Sequence, residues 1–212
     1  LNGNEPTGLI TYMRTDSSQV ASSAQAEARA VVASSFGKEY VPEKPPFYRA
    51  KSRTAQEAHE AVRPTSSKRT PDSIRTFLSA EQFKLYELIW NRFIASQMKP
   101  AVYETLTIDV EGVSEDHAYQ FRVNASSLRF AGFLRVHPDW EAGELEGVIS
   151  LEKLPQLEKG DPLRLEGLFP EQHFTEPPPR FNDASLIKAL EEYGIGRPST
   201  YAPILSTLEQ RG

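Results

Sequence analysis

The chain has 212 residues, a formal net charge of −5 and no cysteine. That length fits one large domain or two small ones, and the missing cysteines exclude disulfides and Cys-ligated zinc within these residues. No run approaches the roughly 18 apolar residues of a membrane helix, and the polar start, Leu1 to Pro6, lacks the apolar segment of a signal peptide.

In chain order, Gly8 to Tyr12 is a short apolar–polar stretch. Asp16 or Ser17 is then expected to cap a helix in which Val20, Ala24, Ala28, Val31 and Val32 recur at helical spacing, with Gly37 as its stop. Three prolines between Val41 and Arg53 mark a loop. Thr54 to Val62 reads as a short helix ended by Arg63-Pro64. Ser79 and Gln82 form a capping box. It opens the strongest helix, whose buried face is expected to hold Phe83, Tyr86, Leu88, Ile89, Phe93 and Ile94. Its aromatic face, Phe83, Tyr86, Trp90 and Phe93, reads as core and not as a base-stacking surface. After Pro100 the period changes to two. Strands are expected from Tyr103 to Val110, Tyr119 to Val123, Leu128 to Val136 and Leu163 to Leu168, with a flexible acidic loop from Asp139 to Gly147. Pro177 to Pro179 precede a helix capped by Asn182 or Asp183, with Leu186, Ile187 and Leu190 inward. Gly194-Ile195-Gly196 turns the chain into a last helix, Pro198 to Gln210. Helices, then strands, then helices make an α+β chain.

The net charge counts against nucleic acid as a partner, but the charges are segregated. Lys44 to Arg75 holds eight Lys/Arg against three Asp/Glu, whereas Asp139 to Asp161 holds seven acids against two lysines. A chain polarised in this way can meet phosphate with one surface.

The most informative segment is Gly8-Leu9-Ile10-Thr11-Tyr12-Met13-Arg14-Thr15-Asp16-Ser17. A tyrosine hydroxyl, with a pKa of about 10, is a poor nucleophile near neutral pH and needs a nearby cation or base. In an extended segment Arg14 falls on the same face as Tyr12, where a guanidinium stabilises charge developing on phosphate. Thr15 and Ser17 offer hydroxyls, and the following helix N-terminus is an anion site. An ordinary strand with a solvated Arg14 and a simple cap at Asp16-Ser17 fits the same residues. His59 and Arg63, four apart on the expected short helix, share a side with Arg49, Lys51 and Arg53 upstream and form a basic face. Packing of His59 against the domain is the alternative. His117, His137 and His173 lack any ligand spacing. At the last helix Arg197, Ser199 and Thr200 can hold phosphate beside a helix start, with Arg211 one helix later. Plain capping of a helix hairpin is the competing reading.

Three segments together resemble the type IA DNA topoisomerases. The Tyr12 string resembles their active-site signature, and its Met13 resembles the bacterial topoisomerase I form. Gln56 to Pro64 resembles their Gln-Glu-Ala-His-Glu-Ala-Ile-Arg-Pro motif, and Gly194 to Tyr201 their Gly-Ile-Gly-Arg-Pro-Ser-Thr-Tyr motif. The resemblance implies three pieces: a helical tyrosine domain (1–99), a β-rich arch or hinge (100–176), and the start of a helical DNA-binding base domain (177–212). It implies an isomerase acting on single-stranded and negatively supercoiled DNA, with Tyr12 and Arg14 catalytic. Thr15, Asp16, Ser17, His59, Arg63, Arg197, Ser199, Thr200 and Arg211 would contact DNA. It further implies magnesium held by a Toprim domain that this chain lacks, since no Asp-x-Asp occurs in it. The chain would then be an inactive fragment of a longer polypeptide, which the absence of an initial Met also suggests. The whole protein would be a monomer in the cytoplasm, at the nucleoid, with no membrane partner. A non-enzymatic DNA-binding module and a purely structural fragment are the alternatives.

Overall fold

The computed structural model describes residues 7–13, 15, 17–48, 60–137 and 149–211. Among them are five α-helices and one three-stranded sheet, the α+β arrangement expected. The chain divides into two compact units, Leu1–Pro155 and Gln156–Gly212.

In the first unit α1 (Ser22–Ser35) packs with α2 (Pro71–Ile74) and α3 (Ala80–Ser96). Their core is Ala28, Val31, Val32, Ile74, Tyr86, Trp90, Phe93, Ile94 and Met98. The capping box at α3 is present: Gln82 N–H donates to Ser79 Oγ at 3.2 Å and Ser79 N–H to Gln82 Oε1 at 3.0 Å. The buried face of α3 differs from the expected one. Trp90 lies in the core, as its place on the aromatic face implied, but Leu88, expected inside, is 52% exposed. Burial follows the 86–90–93–94 stripe because 88 sits about 200° around a 100°-per-residue helix from 86. α1 also begins later than expected, after Ala21, and the Ser17 hydroxyl instead accepts from Gln19 N–H at 3.2 Å.

Two polar side chains of α3 reach the turn at 66–70. Trp90 Nε1 donates to the Ser67 carbonyl at 3.0 Å and Tyr86 Oη to that of Arg69 at 2.7 Å. From the α1 side, Glu27 accepts from Ser66 Oγ at 2.7 Å and from Lys68 N–H at 3.2 Å. The segment that carries Arg63 is thereby anchored to both helices, which matters for the site.

β1 (Val102–Ser114) and β2 (His117–Phe130) make a long antiparallel hairpin, with Ile108 opposite Val123 and Val110 opposite Phe121. Period-two alternation puts Leu106, Ile108 and Val110 on one face with Phe121, Val123 and Ala125, and Thr107, Asp109, Arg122 and Asn124 on the other. The polar face is cross-linked: Arg122 pairs with Asp109 at 2.7 Å and Thr107 Oγ1 donates to Asn124 Oδ1 at 2.9 Å. β3 (Ile149–Ser150) pairs parallel to Ala125 and Ser126. The strand expected to continue to Val136 stops at Phe130. Gly132–Arg135 forms a 3₁₀ turn because Gly132 adopts φ +50, a left-handed conformation incompatible with a strand. The acidic stretch 139–147 lies outside the described residues.

In the second unit, residues 161–181 run without helix or strand, so the strand expected at Leu163–Leu168 does not form. The alternation there meets no pairing strand among the described residues, and an isolated alternating segment cannot satisfy its own backbone. α4 (Asp183–Glu192) is capped by Asn182, whose Oδ1 accepts from Ser185 N–H at 2.8 Å. Leu186, Ile187 and Leu190 are half-buried. Gly194 and Gly196, at φ +69 and +77, turn the chain into α5 (Pro198–Arg211). No described helix is long and apolar enough to cross a membrane.

Candidate active site

The tyrosine segment is zipped to the segment 60–65. Ile10 and Pro64 form an antiparallel bridge. Thr11 N–H donates to the Arg63 carbonyl at 2.9 Å, and Thr65 N–H to that of Leu9 at 2.9 Å. The Thr11 hydroxyl serves twice: it accepts from Arg63 N–H at 3.0 Å and donates to the Ala61 carbonyl at 3.0 Å. Thr65 Oγ1 donates to the Gly8 carbonyl at 2.7 Å. Apolar Ile10 and buried Pro64 face the core, which fixes the register.

Immediately after this zipper the chain leaves the body of the unit. Tyr12 is 77% exposed, and Met13 and Thr15 are exposed with it. The chain returns at Gln19, whose carbonyl accepts from Ala61 N–H at 2.8 Å. Ala21 N–H then donates to Glu60 Oε1 at 2.7 Å. Tyr12 therefore lies exposed between two points of the chain, Thr11 and Gln19 to Ala21, that are held by the same segment. Arg14, Asp16 and His59 lie outside the described residues.

Arg63 occupies a different setting from the one expected. Glu60 to Val62 are not helical, so the helix expected from Thr54 does not reach Val62; residues 54–59 lie outside the described residues, as do Arg49, Lys51 and Arg53. The Arg63 side chain is 13% exposed, and its Nη2 is 2.7 Å from Glu60 Oε2. Its Nη1 donates to the Pro64 carbonyl at 3.0 Å. Sequence reasoning missed Thr11 and Glu60. Thr11 finds its partners 50 and 52 positions away and Glu60 reaches Ala21 across 39, so no local pattern announces these bonds.

In the second unit, Arg197, Ser199 and Thr200 are exposed together at the start of α5. Thr200 Oγ1 accepts from Arg197 N–H at 2.9 Å and donates to the Arg197 carbonyl, so its hydroxyl closes the first turn. Arg211 ends the same 14-residue helix, about 20 Å along the axis at 1.5 Å per residue, and does not join that group. Tyr201, the other motif tyrosine, is the opposite of Tyr12. It is 9% exposed, and burial, with the nearby Glu191 charge, pushes its hydroxyl up. Of the two, Tyr12 is the one a substrate can reach.

Comparison with known proteins decides the family. A profile described as DNA topoisomerase matches residues 5–212. The chain belongs to the DNA topoisomerase family. It is 48% identical over 202 residues to DNA topoisomerase 1 of Xylella fastidiosa (strain Temecula1 / ATCC 700964), covering 95% of this chain and 24% of that protein. It is 46% identical over 209 residues to DNA topoisomerase 1 of Rickettsia conorii (strain ATCC VR-613 / Malish 7), covering 99% of this chain and 26% of that one. The solved structure of full-length topoisomerase I from Thermotoga maritima superposes with a TM-score of 0.67 at 34% identity, over 96% of this chain and 30% of that one. These matches bear out the resemblance to bacterial topoisomerase I. The chain spans about a quarter of the length of the curated topoisomerases it matches. The described residues offer no group of three His, Asp or Glu side chains that fits a metal ion.

Proposed function

We propose that this chain is the tyrosine-bearing part of a type IA topoisomerase that relaxes negatively supercoiled DNA. The exposed Tyr12, on a loop held at both ends, carries the reading. Tyr12 Oη attacks a backbone phosphorus of single-stranded DNA. The tyrosyl O–P bond forms, the P–O3′ bond breaks, and the tyrosyl proton ends on the departing 3′-oxygen. The products are a 5′-phosphotyrosyl link and a free 3′-hydroxyl. Religation is the reverse attack and needs no ATP, because one phosphodiester is exchanged for another. Arg14, two residues on, neutralises the phosphate oxygens, with His59 in support and Thr15, Asp16 and Ser17 lining the strand, while Arg63, paired with Glu60, serves from behind the DNA-facing surface where it was expected to touch DNA. Arg197, Ser199 and Thr200 hold DNA at the start of α5, and Arg211 adds charge along it.

The domain division is 1–99, 100–176 and 177–212: a tyrosine domain, a β-rich hinge that lets it swing away as a gate for the other strand, and the start of a base domain. Magnesium is bound by a Toprim domain elsewhere in the polypeptide, which acts as a monomer in the cytoplasm at the nucleoid. This part alone does not cleave DNA.

The test supplies the full-length polypeptide with magnesium and single-stranded oligonucleotides labelled at either the 5′ or the 3′ end, then denatures. A covalent band is expected with the 3′ label alone, and it should vanish in Tyr12→Phe. A covalent band that survives Tyr12→Phe, or one carrying the 5′ label, would falsify the assignment. DNA binding that is indifferent to Tyr12 with no covalent band would leave a binding module in its place.

A further inference from the structure

Glu60 does two jobs at once. Its Oε1 accepts from Ala21 N–H at 2.7 Å, and its Oε2 lies 2.7 Å from Arg63 Nη2. Ala21 precedes α1, whose start has no side-chain cap of its own and no acidic residue in its first turn. A carboxylate 39 residues away therefore supplies the acceptor and the negative charge that the helix start lacks locally. The same carboxylate neutralises a guanidinium that is mostly out of water.

The two contacts have a common geometric result. Upstream of Tyr12 the chain is held by Thr11 to Ala61 and Arg63. Downstream it is held by Gln19 to Ala61 and by Ala21 to Glu60. Glu60 closes the downstream end, where the Ser18 hydroxyl also donates to the Tyr48 carbonyl at 3.1 Å, and through Arg63 it braces the upstream end too. We propose that Glu60 is a positioning residue for Tyr12, tying both ends of the nucleophile's loop to one segment so that the hydroxyl is presented at a fixed place. The inference rests on the reading of Tyr12 as nucleophile. It adds a residue that touches no DNA. Because the core of α1 and α3 does not depend on Glu60, its loss should displace the loop and leave the fold standing.

The experiment compares Glu60→Gln and Glu60→Asp with the parent full-length polypeptide. Gln keeps the shape but loses the charge that holds Arg63. Asp keeps the charge but is too short to reach both partners. Three quantities are read: the single-turnover rate of covalent adduct formation on a 3′-labelled oligonucleotide, its Kd without magnesium, and amide hydrogen exchange at Ala21 and at Ile94. For both variants the rate should fall about 10- to 100-fold, the loss expected from a misplacement near 1 Å. Kd should stay within about threefold, since the binding surface is intact. Exchange should quicken at Ala21 and stay unchanged at Ile94. An unaltered rate overturns the proposal. So does a rate that falls while Kd rises and protection at Ile94 is lost, because Glu60 would then be holding the fold in general. An adduct that persists in Tyr12→Phe defeats the nucleophile reading itself, a separate failure seen in a separate variant.

Discussion

Gly132 has φ +50, and a Cβ built on it would come within 2.4 Å of the Pro100 carbonyl. Backbone lies on that side, not a side chain that can rotate away. Gly132→Ala is therefore expected to destabilise the first unit by about 2–4 kcal/mol, from left-handed strain and overpacking together, read as a lowered midpoint in urea unfolding. Glu27 is a residue of another kind. Burial pushes its carboxyl up, but hydrogen bonds from Ser66 and from the Lys68 and Ser67 amides, with the Lys68 charge, outweigh that and hold it below the ordinary value of 4.5. A depressed carboxyl contributes stability that is complete above the unfolded value and lost as pH falls through the folded one. Glu27→Gln should thus lower the melting temperature at neutral pH and flatten its decline below about pH 4.5, and an unchanged acid limb would contradict this. Neither residue was readable from its neighbours. The backbone beside Gly132 belongs to Pro100, and the partners of Glu27 lie at 66–68, so what constrains each comes from a distant part of the chain.

At the scale of elements, what the sequence revealed was what is local. The α3 cap lies within four residues, and Asn182 with Ser185 does the same for α4, so both starts were legible. Ser79→Ala should cost about 1 kcal/mol, measurable as a fall in thermal midpoint with little change in the enthalpy of unfolding per residue. The α1 start was misread because its acceptor, Glu60, comes from a distant segment. Ser17, though suited to capping, turns its hydroxyl to Gln19 instead. The alternation at 163–168 was a valid strand pattern without a partner among the described residues, and a pattern alone does not make a ladder. The hairpin succeeded because both of its strands are adjacent in sequence and their faces match in register.

For the whole molecule, a count of cations overstates what is free to meet phosphate. In the basic stretch from Lys44 to Arg75, Arg63 is committed to Glu60, Arg69 donates to Thr65 Oγ1 at 3.0 Å, and Arg75 lies over the Phe83 ring at 4.7 Å. Polarity along the sequence marks a basic and an acidic region. It could not tell cations that brace the fold from cations left for a ligand. The motif carrying Tyr12 was legible, whereas the brace behind it was not, because its contacts join chain segments brought together only by folding.

Those distant contacts also set an order of events. The helices and the hairpin can form from neighbours in sequence, within microseconds. Joining Thr11 to Ala61 closes a loop of 50 positions, with a length-dependent entropy cost of roughly 3–4 kcal/mol that is recovered only once the intervening helices have docked. The tyrosine loop is then among the last parts of the unit to find its place. A chain caught midway in folding would hold its helices but not an ordered tyrosine segment, so Tyr12 takes up its exposed place only in a finished molecule.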